Sequence, residues 1–150
     1  MSHFFKTAPA PVRKVLRMIV KGTFEVTLSA EPPHDVVDGV SLGRVGLDKR
    51  FAGPLEATSK GIMLAARGPV QGSAGYVAIE RVTGSLAGRH GSFVLQHSGI
   101  MNRGAPSLTV TVVPDSGTGD LRGISGRMEI QIVEGKHFYE LDYELPAAEG

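Results

Sequence analysis

The sequence predicts an all-β protein in which eight antiparallel strands close into a barrel. Three observations carry this. Short segments alternate apolar and polar residues with a period of two, as in Phe24, Val26 and Leu28 against Glu25 and Thr27. Twenty glycines punctuate segments rich in valine, threonine and isoleucine, the pattern of short strands joined by tight turns. No stretch of ten or more residues keeps a 3.6-residue apolar period, so crossover helices and a parallel sheet are not expected. A sheet made mostly of hairpins exposes two edges unless it closes on itself. Eight strands enclose room for side chains or one small ligand.

Each element follows from local chemistry. Residues 1–17 are expected to form a flexible arm: they carry Pro9 and Pro11 and no periodicity, with at most one basic helical turn over 12–17. The barrel domain spans 18–145, and 146–150 form a loose tail. The first strand covers 18–29. Glu31-Pro32-Pro33-His34-Asp35 then makes a loop, because two prolines remove two ladder donors. The second strand, 41–51, turns at Ala52-Gly53 into the third, 54–66, which places Lys49 opposite Glu56 as a favourable cross-strand pair. A glycine- and proline-containing loop over 67–73 leads to the fourth strand, 74–86. Gly88-Arg89 is the simplest turn into the fifth, 91–101. After a break at 102–106, β-branched residues mark a sixth strand over 107–113. Turn residues fill 114–120. The seventh strand, 121–133, meets the eighth, 136–145, across Glu134-Gly135.

That last hairpin fixes facing. A two-residue turn sets Ile132 opposite His137, Ile130 opposite Tyr139 and Met128 opposite Leu141, an apolar face suited to a barrel interior. The other face pairs Arg127 with Asp142 favourably and Glu129 with Glu140 unfavourably, a clash that a bulge or an external cation would relieve and that otherwise means a register off by one.

Composition narrows the function. A chain of 150 residues forms one domain with a core of its own. A net charge of +1 gives no general attraction to nucleic acid or anionic membrane, and neither a basic stripe nor an aromatic platform for bases is present. Without cysteine there is no disulfide, no thiolate nucleophile and no cysteine-ligated metal, which suits a cytoplasmic setting. No apolar run approaches the roughly 20 residues that cross a bilayer, and residues 15–20, interrupted by Arg17, do not make a signal peptide.

Several runs occur together in one order: Gly22-Thr23-Phe24-Glu25-Val26; Glu80-Arg81-Val82-Thr83-Gly84; Gly88-Arg89-His90-Gly91-Ser92-Phe93-Val94-Leu95-Gln96-His97; residues 112–121 with Ser116-Gly117-Thr118-Gly119; and Leu141-Asp142-Tyr143. In this the chain resembles the bacterial domain-of-unknown-function family DUF3224 over residues 22–145. The resemblance implies an allene-oxide-cyclase-like barrel, similar in shape to lipocalins and dirigent proteins. It implies no single activity, because relatives of that fold include cyclases and small-molecule binders. One departure stands out: members tend to carry tryptophan just before Val-Val-Pro, and here Val110 lies near that place.

The candidate chemistry centres on Glu80 and His97. With Gly88-Arg89 as the turn they lie opposite each other, sharing a face with Tyr76 and Phe93. A carboxylate beside an imidazole can serve acid–base chemistry, and burial would raise the Glu80 pKa. More often such groups merely satisfy each other, or bind Arg81 or Arg89, at a barrel mouth or a subunit contact, and a three-residue loop would pair Glu80 with Gln96 and remove the dyad. Tyr139 and Tyr143 offer phenols to a ligand or pack their rings, Gln96 offers an amide, and Arg89 offers a charge for a ligand carboxylate at the mouth. Ser116-Gly117-Thr118-Gly119 lacks the ending and the helix of a phosphate cradle. No metal or cofactor is expected, since His90, His97 and His137 lack the spacing of familiar zinc sites.

The leading expectation is a barrel that binds a small, largely apolar organic molecule. Next comes a cofactor-independent cyclase or isomerase using Glu80 and His97, then a structural oligomer with a filled barrel. Continuous apolar triplets such as Val77-Ala78-Ile79 predict burial on both faces, hence a homo-oligomer, dimer or trimer.

Overall fold

The computed structural model describes residues 14–147. Its strands are β1 (Val15–Ala30), β2 (Asp35–Val37), β3 (Val40–Ala52), β4 (Leu55–Arg67), β5 (Ala74–Leu86), β6 (Arg89–Asn102), β7 (Ala105–Val112), β8 (Ser125–Val133) and β9 (Lys136–Pro146). All pairings are antiparallel, and because β1 pairs with both β9 and β3, eight strands close into the expected barrel. The short β2 is additional. It pairs with residues 40–42 of β3, continuing the side that β1 covers over residues 45–52. Between them the two prolines interrupt the ladder, while the Glu31 and His34 amides still donate to the Arg44 and Leu42 carbonyls at 3.0 Å.

Hairpin chemistry sets the registers. Asp38-Gly39, Ala87-Gly88, Arg103-Gly104 and Glu134-Gly135 each have positive φ at both positions, the signature of a two-residue type I′ turn with glycine second. The β8–β9 register is the expected one, from Ile132–His137 through Arg127–Asp142. Its Glu129–Glu140 pair is present too, and Lys21 of β1 stands opposite Glu140 on the other side.

Four expectations need correction. The β5–β6 turn lies one residue earlier than Gly88-Arg89, so Glu80 faces Leu95 and His97 faces Ala78. A two-residue displacement of partners keeps every side chain on its face.

The two-residue turn at Ala52-Gly53 does not form. Pro54 accepts the Ala87 amide at 2.8 Å, and the Tyr139 phenol accepts the Leu55 amide and donates to the Ala52 carbonyl, each at 3.0 Å. Pairing therefore begins at Phe51–Ala57 and sets Lys49 opposite Ser59, not Glu56. That odd shift turns Lys49 inward.

Residues 121–124 are not strand. A 3₁₀ turn (Gly119–Leu121) and the bend after it drive Leu121 and Ile124 into the core. Finally, β1 starts at Val15 rather than 18, because it pairs with β9 out to Pro146. The Arg17 guanidinium grips Asp142 with two hydrogen bonds, at 2.8 and 3.0 Å. No helical turn forms over 15–17, and the rest of the expected arm lies outside the described residues, as does most of the expected tail.

The core sits at one end of the barrel. Phe51, Leu55, Leu86, Phe93, Leu95, Tyr139 and Leu141 pack there, with Leu121 and Ile124 as a cork beneath them.

Candidate functional site

Strand alternation brings four polar side chains into the middle of the barrel. On β3, Lys49 lies between Leu47 and Phe51; on β4, Ser59 follows Leu55 and Ala57; on β5, Glu80 lies between Ala78 and Val82; on β6, His97 follows Phe93 and Leu95. All four are buried, Glu80 completely. One Glu80 oxygen accepts Lys49 Nζ at 2.9 Å and meets His97 Nε2 at 2.5 Å, while the other accepts Ser59 Oγ at 2.6 Å. The Lys49 ammonium also lies 5.0 and 5.8 Å from the Phe24 and Phe51 ring centres, within cation–π range.

Burial by itself pushes the Glu80 carboxyl up. The His97 hydrogen bond, the Lys49 charge and the Ser59 hydroxyl outweigh it and hold the group down at about 2. The expected upward shift is thus reversed, and Glu80 is a fixed carboxylate rather than a proton donor near neutral pH. A carboxylate only accepts, so His97 Nε2 carries the hydrogen of their contact. Among the described residues His97 Nδ1 takes part in no hydrogen bond, which leaves Nε2 as the nitrogen committed to Glu80.

Above the cluster the barrel opens. Directly paired residues share a face, so Leu28 opposite buried Leu47, Leu108 opposite Gly99 and Ile132 opposite His137 all point inward. They are nevertheless 56, 40 and 64% exposed. Tyr76 stands between this mouth and the cluster. A Cβ at Gly99 would collide with its ring, and its phenol is pushed up by burial and then by the Glu80 charge. Tyr76, Ala74 and Met101 share a cavity of about 450 Å³ with the loop over residues 68–73.

The other expected site residues lie elsewhere. Gln96 is exposed on the outer face opposite Ile79, since it alternates with inward Leu95 and His97. Phe93, Tyr139 and Tyr143 belong to the corked core, where Tyr139 pins the β3–β4 corner and Tyr143 reaches Met18 Sδ at 3.4 Å. Arg89 begins β6 at the corked end, away from the mouth. Lys49 and Ser59 were the missing members. Their signal was visible in the alternation itself: Leu47-Asp48-Lys49-Arg50-Phe51 places lysine among the apolar positions. No group of three or more His, Asp or Glu side chains among the described residues is placed to hold a metal ion.

The family described as Protein of unknown function (DUF3224) matches residues 20–143. The chain belongs to DUF3224. A crystal structure of a DUF3224 protein of unknown function from Shewanella oneidensis MR-1 is 53% identical, with a TM-score of 0.80, over 85% of this chain and 97% of that one. Among curated proteins no relative matches. The geometry explains why two of the DUF3224 runs occur together. Ser116 Oγ accepts the Val94 amide at 3.0 Å, Thr118 Oγ1 accepts that of Ser92 at 3.0 Å, and Thr118 donates its own amide to the Ser92 carbonyl at 2.8 Å. The Ser-Gly-Thr-Gly segment is stitched along β6 and holds the cork in place. No helix among the described residues is long and apolar enough to cross a membrane.

Proposed function

We propose that this DUF3224 protein binds a small, largely apolar organic molecule in the open half of the barrel, its polar end toward Tyr76 and His97. One observation carries the reading: inward-facing Leu28, Leu108 and Ile132 are exposed above a buried polar floor. An apolar wall with a few convergent polar groups is the usual make-up of a small-molecule site. A cytoplasmic setting suits the cysteine-free sequence.

Native mass spectrometry of protein purified from its own host tests this, and a co-purified organic molecule is expected. The chain has no tryptophan, so Met101→Trp gives a single reporter at the mouth. Its emission should shift to the blue as the recovered molecule is titrated back. An empty protein whose reporter ignores apolar candidates would defeat the proposal.

A second reading, a cofactor-independent cyclase or isomerase, draws on the Glu80–His97 contact. In it the carboxylate orients the imidazole, and His97 Nδ1 moves the proton. Glu80→Gln would then lower turnover of the recovered molecule by about 10²-fold. Under simple binding it would change affinity for the polar end of the molecule without a turnover phenotype.

A further inference from the structure

We propose that the outer face of β4 and β5 is a homodimer interface, covered by a second copy of this chain. Ile62 and Leu64 on β4 pair with Ile79 and Val77 on β5, making a block two rows deep without a charge. These four side chains are 42 to 53% exposed, and Leu42 and Ile100 extend the block at 37 and 57%. They alternate with the inward rows that carry Ser59 and Glu80, so the barrel cannot bury them. Gly46, opposite Ile62, and Gly75, opposite Ile100, keep its shoulders low and the surface flat.

Three features select a second copy as the occupant. The first is area. Half-exposed aliphatic side chains offer on the order of 100 Å² each, so the six reach about 600 Å². That is the top of the range of about 300–600 Å² for the largest patch on a monomer, and two such faces would bury about 1,200 Å², enough for a specific interface. The second is symmetry. Ile62 and Leu64 with their partners Ile79 and Val77 make the patch aliphatic in both rows. The same patch on a second copy, rotated about a twofold axis lying in the plane of contact, therefore meets aliphatic with aliphatic, as an isologous interface requires. The third is charge. The block itself carries none, so two copies bring no like charges into the centre of the contact, and Arg44, Asp48, Lys60 and Arg81 stay at its rim.

Analytical ultracentrifugation of the full chain at micromolar concentration should return twice the chain mass, and Val77→Lys should return the single mass with an unchanged far-ultraviolet circular dichroism spectrum. Leu64→Cys supplies a second measurement, independent of whether the lysine variant folds. It is the only thiol in an otherwise cysteine-free chain, and a bismaleimide spanning about 10 Å, the spacing of packed sheets, should link it into dimers. A monomeric wild type overturns the proposal, including one that instead floats with lipid vesicles. So does a dimer that persists in folded Val77→Lys, or a Leu64→Cys chain that the bismaleimide leaves unlinked.

Discussion

At the scale of single residues, Glu80 decides how the barrel interior behaves. Removing one partner of a buried ion pair leaves the other charge stranded, which costs more than the intact pair is worth. Lys49→Met keeps most of the side-chain volume yet leaves the carboxylate without its ammonium partner, on the Ser59 and His97 hydrogen bonds alone, and should destabilise the fold by about 3–5 kcal/mol. Adding Glu80→Met should recover part of that loss, and equilibrium denaturation in urea of the two variants measures the difference. Acid acts on the same group. Glu80 takes up its proton near pH 2 in the folded barrel, against an ordinary value of 4.5. Between those values the unfolded chain holds more protons, so stability falls as pH drops. The contribution is complete above about pH 4.5 and is lost as pH falls toward 2, and amounts to something on the order of 3 kcal/mol. Urea midpoints over this range should drop more steeply for the wild type than for Glu80→Gln. Parallel slopes would show that the carboxylate is not held as the geometry implies.

At the scale of elements, close backbone approach separates essential glycines from replaceable ones. A Cβ on Gly91 would run into the Thr118 carbonyl, whereas one on Gly43 would meet nothing within 4 Å. Gly91→Ala should therefore cost about 1–3 kcal/mol by prising the cork from β6. Gly43→Ala should be neutral, or stabilising by up to about 1 kcal/mol. Thermal melts of both variants check the contrast, and equal losses would remove it. The same turn chemistry explains what the sequence disclosed. Glu134-Gly135 was legible because glycine stands second and the apolar faces on either side agree. Gly88-Arg89 is the simplest turn by sequence, but a type I′ turn wants glycine second, after Ala87; the difference moves partners by two and so spares the facing of Glu80 and His97. Asp38-Gly39 carries the same signal, and it closes the short hairpin that adds β2. The corner after Ala52 was not legible, because it depends on Tyr139, 84 residues from Leu55 in the chain. With that corner went the inward turn of Lys49, and with Lys49 the charge that joins the His97 hydrogen bond in keeping Glu80 ionised.

At the scale of the whole molecule, the barrel is two unlike halves on one set of strands. The corked half holds the aromatic and leucine core, the phenol-pinned corner and the stitched Ser-Gly-Thr-Gly segment. The open half holds Gly43, Gly61, Gly99 and exposed inward aliphatics around the mouth. Native-state opening follows buried contacts and protected hydrogen bonds, so it should begin at the mouth and reach the cork only on global unfolding. Hydrogen exchange followed by mass spectrometry should find the slowest amides in residues 80–95 and 139–145, and faster exchange in residues 26–34 and 99–109, although strand ladders run through all of these regions. A saturating ligand at the mouth should slow residues 99–109 and leave the cork unchanged, because a site that is already closed gains nothing further from occupancy. Uniform protection along β6, from Phe93 at the cork to Met101 at the mouth, would mean that the barrel opens as one unit and that its open end is no softer than its floor.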